Sequence, residues 1–292
     1  MANERGKAID NTHLSIDQAE ERGFIHRDYI AHCLRWSHVA KHLQQGKLYQ
    51  TAHILDIGCG REVPLAKLMY SSRLIPTSGS YLGVDYNKLV VPDMFHTGRF
   101  PITLLSGIFP GVIDELDKAY IEAGAPSQKY DVITCFEVAE HVEPQGTLAI
   151  LQGIRRYLSA DGHAFLSTPC YDEATGAAAN HVNEMRYEAF GSMLQHAGLT
   201  IENVWGTFAS IKDYVGLPEF NSFLTTFNKM REYYDVNYLA TIFAPLFPQY
   251  SRNALWKVSI SGKGMGPFSP LKTFTGQYNS SSEKWMSFIE SL

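Results

Sequence analysis

Between positions 136 and 144 the chain reads FEVAEHVEP. Glu137, Glu140 and His141 stand at i, i+3 and i+4, a spacing that gathers side chains on one face wherever the segment is helical. Farther on, AAANHVNEM supplies His181. Two carboxylates and two imidazoles make an O₂N₂ donor set, better suited to Mn²⁺ or a related ion than to the strictly oxygen-loving Mg²⁺. Without a metal, His181, Glu137 or His141 could serve as a general base or its support. Glu and His can also simply organise a helix start or hydrogen-bond neighbouring loops. The residue types leave these readings open.

The elements that must position this cluster read as alternating strands and helices. AHILDIGCG (52–60), SYLGVDYN (80–87), PITLLSG (101–107), YDVITCF (130–136) and HAFLSTP (163–169) are short apolar runs of buried-strand type. Between several of them lie helix-like segments such as PLAKLMYSSR, GVIDELDKAYIEAG and TLAILQGIRRYL. NEMRYEAFGSMLQHAGL (183–199) reads as a helix, and LTIENVWG and ALWKVSISG as two further strands. Such alternation implies an α/β fold with a doubly wound, mostly parallel sheet covered on both faces. FEVAEHVEP then follows the fourth strand, and His181 the fifth.

The organisation expected is a helical cap over 1–47, a core over 48–206, an aromatic-rich insertion over 207–253, a last core strand at 254–262 and a tail over 263–292 whose WMSFIESL could dock as a short helix. The insertion is too long for a hairpin. With 45% hydrophobic and 19% charged residues among 292, the chain can bury a sizeable core. A formal charge of −5 argues against broad coating of duplex nucleic acid, while a local basic groove stays possible. Four cysteines without a CxxC pair, and no signal-peptide stretch behind MANERGK, suit reduced thiols in a cytoplasmic protein. No apolar run approaches the roughly 20 residues of a membrane span.

LDIGCG places Asp56, Gly58 and Gly60 at the carboxyl edge of the first strand, where ligands of open α/β sheets bind. A dinucleotide would want G-x-G-x-x-G with small residues, whereas GCGREV puts Glu62 where it would repel pyrophosphate. A cofactor with a cationic amine and a sulfonium but no phosphate would instead welcome Asp56. Asp85, ending the second strand, is placed to take ribose hydroxyls, with Tyr86 beside it for adenine. Cys59 between the glycines, and Phe136 and Glu137 after the fourth strand, complete the candidate cofactor set.

Through HILDIGCG, YLGVDYN, DVITCFEVAEHV and LSADGHAFLSTP the chain resembles the class I S-adenosylmethionine-dependent methyltransferases, over about 48–206 and the last strand. The resemblance implies a Rossmann-like methyltransferase fold of seven strands with the last antiparallel, Gly58 and Gly60 against the methionine portion, and Asp85 on the ribose. Glu62 departs from the usual third small residue, and PITLLSGIF lacks the acid that often holds the adenine amine. The E-x-x-E-H stretch is similar to that of small-RNA 3′-terminal 2′-O-methyltransferases and ubiquinone-pathway O-methyltransferases. That similarity carries over Glu137, Glu140, His141 and His181 as metal ligands for Mn²⁺ or Mg²⁺.

The function so implied is methyl transfer, with metal-assisted O-methylation of a hydroxyl on a nucleic acid, nucleotide or small molecule. The alternatives are a metal-independent small-molecule or nucleobase methyltransferase, and a cofactor-binding scaffold without turnover. FEVAEH stands where amino-directed DNA methyltransferases carry D/N-P-P-Y/F, which disfavours that chemistry. Cys170 in STPC follows the fifth strand and reads as a structural thiol. For the acceptor, Arg35 and Trp36 in FIHRDYIAHCLRWSHV are candidates, as are Tyr250 and Arg252 at the end of the insertion.

Overall fold

The computed structural model describes residues 27–265 except 97, 172–175 and 215. The first 26 residues and the tail from 266, with the short helix expected at WMSFIESL, lie outside the described residues. Seven strands form one sheet in the order β3–β2–β1–β4–β5–β7–β6. They are β1 (His53–Ile57), β2 (Ser80–Asp85), β3 (Ile102–Ser106), β4 (Tyr130–Phe136), β5 (Leu158–Pro169), β6 (Thr200–Phe208) and β7 (Asn253–Ser259). The first five run parallel, and β7 lies antiparallel to both β5 and β6. This is the doubly wound, seven-stranded, mostly parallel architecture expected from the strand pattern. The chain order reverses between β1 and β4, and a crevice opens at such a switch point beyond the strand ends.

Five helices flank the sheet: α1 (Arg27–Gln44), α2 (Pro64–Ser71), α3 (Gly111–Glu122), α4 (Pro144–Tyr157) and α5 (Tyr187–His196). Alternate strand residues feed two cores because successive strand side chains point to opposite faces. Ile54, Val132, Phe165 and Leu255 pack with Val39 and Leu43 of α1 and Leu65 and Met69 of α2. Leu55, Ile133, Leu166 and Trp256 pack on the other face with Ile113, Leu151, Ile154 and Phe190 from α3, α4 and α5. Both faces are therefore dry, as a parallel sheet requires.

α5 begins at Tyr187, not at Asn183 as the periodicity suggests. The intervening residues are held by other parts of the fold. Asn183 N donates to Glu140 O (3.0 Å) and its Nδ2 to Thr147 Oγ1 (3.0 Å), while Met185 pairs with Cys170 in an isolated bridge.

The insertion adds α6 (Ile211–Tyr214), α7 (Leu224–Met230) and α8 (Val236–Phe243) with short 3₁₀ turns. Phe220, Phe227, Leu239, Ala240 and Phe247 form a separate small core there, so most of its aromatic residues serve packing. Tyr233 and Tyr234 stay exposed. Asp235 caps α8, accepting from Asn237 N and Tyr238 N.

Trp256 is fully buried and meets the Tyr187 and Phe190 rings at centroid distances of 4.8 and 5.6 Å. Trp256→Ala is expected to cost about 3–5 kcal/mol, read as a lower urea midpoint; an unchanged midpoint would contradict this packing.

Candidate active site

The loop after β1 forms one wall of the crevice. Gly58 (φ 69°) and Gly60 (φ 66°) adopt left-handed backbone that L side chains rarely take. Gly58 N donates to Val84 O (2.8 Å), and a Cβ at Gly58 would lie 2.3 Å from Val138 Cγ2. A Cβ at Gly60 would meet nothing within 4 Å, so this glycine faces open space at the strand ends. The Cys59 side chain is buried beside Gly83, so it contributes packing rather than a polar contact.

Asp85 closes the loop onto β2. Its Oδ2 accepts from Gly60 N (3.1 Å), and its Oδ1 accepts from Asn87 N (2.8 Å) and Nδ2 (2.9 Å). Each carboxylate oxygen has two lone pairs, which leaves capacity for a ligand hydroxyl. Tyr86 beside it is 79% exposed and offers an open ring face. Asp56 does something different. It is buried, accepting from Tyr81 Oη on β2 (2.5 Å) and Thr134 Oγ1 on β4 (2.7 Å), and burial lifts its carboxyl to about 6. Asp56 thus ties three strands together instead of opening toward a cationic amine. Glu62 is turned to Lys67, which neutralises it.

FEVAEHVEP is not one helical face. Glu137 takes φ 54° directly after β4, and only Ala139–His141 form a 3₁₀ turn before α4. The two glutamates are therefore split. The Glu137 carboxylate accepts from Ser167 Oγ (2.7 Å), Asn253 Nδ2 (2.9 Å) and Arg35 Nη1 (3.2 Å). Burial works to raise its pKa, but Arg35, Asn253 and Ser167 together hold it below the ordinary value. Glu140 is 1% exposed, and burial and then the Glu137 charge drive its carboxyl well above the ordinary value. Thr168 Oγ1 donates to Glu140 Oε2 (3.3 Å).

Glu140, His141 and His181 do converge, each with a donor atom within 4.8 Å of the others. Glu137 is not in this group. His141 Nδ1 lies 3.1 Å from Asn180 O, and a carbonyl oxygen can only accept, so Nδ1 carries the proton and the Nε2 lone pair is left for other use. His181 Nδ1 meets the Glu184 carboxylate, which likewise leaves Nε2 as the basic nitrogen. Metal-ligating histidines are oriented in this way by carbonyls and carboxylates. A buried carboxyl with two imidazole Nε2 atoms nearby is thus a donor set that fits a divalent ion.

Arg35 lies within α1 and is 2% exposed. Besides Glu137 it donates to Asn253 Oδ1 (3.2 Å) and, through Nη2, to His32 Nδ1 (2.5 Å). Trp36 stacks on His32 at 5.3 Å. Arg35 anchors α1 at the sheet edge, and Trp36 packs half-buried against the core on that face. Phe136 is half-buried on the α1 side of the sheet. Tyr250 and Arg252 line a cleft of about 390 Å³. Arg252 forms a bidentate pair with Asp213, with both N···O distances 2.9 Å. The Cys170 thiol is pushed up by burial, in keeping with a structural role.

Sequence reasoning missed Ser167, Asn253, Thr168 and Glu184. Glu184 carried a readable signal, three residues after His181. The others become visible only once β5 and β7 are paired beside β4.

A methyltransferase-domain family model matches residues 27–204. The chain belongs to that family. It is an S-adenosylmethionine-dependent methyltransferase. No curated protein sequence matches it significantly. Magnesium protoporphyrin IX methyltransferase (ChlM) from Synechocystis with bound SAH is a similar structure: 11% identity, 84% of this chain and 88% of that one, TM-score 0.47. The methyltransferase domain of bacterial CtHen1-C is 14% identical over 80% of this chain and 100% of that one, TM-score 0.46. The pyocyanin biosynthetic protein PhzM is 11% identical over 77% of this chain, TM-score 0.45, and the match spans only 54% of its length. No described helix is long and apolar enough to cross a membrane.

Two outcomes follow for this methyltransferase. Asp85→Ala is expected to weaken S-adenosylmethionine binding by at least roughly tenfold, the worth of hydrogen bonds to a charged group; calorimetry giving an unchanged Kd would remove Asp85 from the cofactor site. His32 is held neutral, its pKa lowered from 6.5 to about 3 by burial and then by Arg35. The unfolded chain therefore binds the extra proton as pH falls below 6.5, and stability that is complete above that pH drains away toward about pH 3. His32→Gln should flatten the acid limb of urea midpoint against pH, and an identical limb would contradict the assignment.

Proposed function

We propose that this methyltransferase methylates a hydroxyl with the help of a divalent ion held by Glu140, His141 and His181. The observation that carries the reading is the commitment of both Nδ1 atoms, which leaves two Nε2 lone pairs beside a buried carboxyl. Mn²⁺ suits the mixed nitrogen and oxygen donors better than Mg²⁺. When bound, such an ion acidifies a hydroxyl and orients it. Gly58, Gly60 and Asp85 hold the cofactor, whose sulfonium supplies an electrophilic methyl. Transfer forms the O–CH₃ bond and breaks the S–CH₃ bond. The electron pair goes to sulfur to leave a neutral thioether, and the hydroxyl proton leaves to solvent. Glu137 is assigned the positioning of the turn that carries Glu140 and His141, in place of a ligand role. The acceptor is a hydroxyl on a nucleotide, nucleic acid or small molecule.

A second reading has its own support. His181 backed by Glu184 is also the arrangement of an oriented general base, which would accept the hydroxyl proton without any ion. Chelation separates the two. On the metal reading, rigorous chelation abolishes transfer, Mn²⁺ restores it, and Glu184→Ala weakens Mn²⁺ binding about 10–100-fold. Full activity in chelator, with loss in His181→Ala, would leave the general-base reading standing instead.

A further inference from the structure

We infer that the cleft bounded by the end of β5, the start of α5 and the segment before β7 is the acceptor site, and that it takes a compact, uncharged planar ring compound bearing adjacent hydroxyls. The adjacency of the hydroxyls rests on the metal reading above; the placement and the charge of the acceptor do not.

Placement follows from the chain. Thr168 Oγ1 touches Glu140, and Cys170, which lines the cleft, is only two residues farther on, about 7 Å of extended backbone. On the other side, the segment that carries His181 and Glu184 continues into Arg186 and Tyr187 of the cleft wall. Tyr171 N donates to Met185 O (3.1 Å), clipping these two walls together. The cleft therefore opens beside Glu140, His141 and His181, at the same carboxyl edge of the sheet.

Chemistry of the lining sets the class of ligand. Tyr171, Tyr187 and Tyr250 all line the cleft, with Tyr187 packed on Trp256 and Tyr250 against the insertion's core, and a tyrosine offers a ring together with a hydroxyl that donates or accepts. The Arg186 guanidinium lies 6.0 Å from the Tyr171 ring centroid. Arg252 and Asp213 occupy one another as a planar pair, less than 20% exposed on either side, so they form a rigid wall without net charge. Arg186 and Glu188 offset each other formally as well. A phosphodiester chain gains its affinity from surplus Lys and Arg, and this lining has none. A volume of about 390 Å³ lies toward the small end of ligand sites. It suits one ring system with its substituents, not a polymer threading through. Two adjacent hydroxyls would let one oxygen accept the methyl while its neighbour helps fix the orientation.

Catechol-type rings and free ribonucleosides share this chemistry. The test measures labelled methyl transfer from S-adenosylmethionine to catechol, to adenosine and to a short single-stranded RNA with a free 3′ end, in the presence of Mn²⁺. Wild-type protein is compared with Tyr250→Ala and Tyr171→Ala. The expectation is turnover of catechol or adenosine, with KM raised roughly tenfold in both variants, as the loss of a buried aromatic contact implies. kcat and the calorimetric Mn²⁺ Kd should stay within about twofold of wild type. Preference for catechol over adenosine, or the reverse, names the source. KM values unmoved in two folded variants, no transfer to and no calorimetric binding of either small probe, or a KM for the RNA far below both, would each overturn the proposal. A flat Mn²⁺ isotherm in wild-type protein together with Tyr250-dependent KM would sink the metal reading alone and keep the cleft.

Discussion

The site depends on one part-buried ion pair, Arg35 with Glu137. A carboxylate taken out of water is costly unless charge and hydrogen bonds compensate. Here the guanidinium comes from α1, and Ser167 and Asn253 add donors from β5 and β7. Five elements meet at this point, because Thr207 of β6 also donates to Asn253 Oδ1 (2.8 Å). The pair is weak evidence for net stability, since apolar groups of equal volume could do as well. Its contribution is to register. It fixes where the cap helix sits on the sheet edge, and it holds Glu137 in a left-handed conformation that a non-glycine residue leaves unless clamped.

The clamp explains how two glutamates three residues apart acquire opposite characters. Glu137 has a cation within 3.2 Å and stays ionised. Glu140 is buried more deeply, its side chain 1% exposed against 29% for Glu137, feels the Glu137 charge, and forms no ion pair with a Lys or Arg among the described residues. Removing Arg35 would release Glu137, and with it the turn that aims Glu140 and His141. The cap helix is thus coupled to the chemistry through a buried charge.

Much of this was legible in the residues. The strands showed as apolar runs, and their alternation with helices led to the doubly wound sheet. GCG and the acid ending β2 located the crevice, because positive-φ backbone and a carboxylate at a strand end leave marks in sequence. The local geometry of FEVAEHVEP did not. Helical spacing suggested one face for Glu137, Glu140 and His141, yet Glu137 belongs to a strand end whose partners lie 30 to 116 residues away. No periodicity encodes a contact between Glu137 and Asn253. Asp56 was read as a cofactor group, and only strand pairing places Tyr81 and Thr134 on its two oxygens.

Strain and an opposed charge meet beside the site. Of the four described non-glycine residues in left-handed backbone, Val63 (φ 42°) ends the glycine loop and Glu137 (φ 54°) follows β4, while Lys47 and Arg73 lie elsewhere. Val63 and Glu137 lie in the loops that leave β1 and β4, the paired strands at which the sheet order reverses, and local conflicts of this kind concentrate at functional sites in otherwise consistent sequences. Glu140 carries the electrostatic counterpart of that strain. Burial and then the neighbouring Glu137 carboxylate oppose its charge and hold its carboxyl well above the ordinary value. On the proposed metal reading, a divalent ion shared with His141 and His181 would oppose that effect and favour the ionised carboxylate. On that reading the fold holds the site in a condition that ion binding would relieve. Interactions of this kind raise affinity for the bound state at the expense of the free protein's stability.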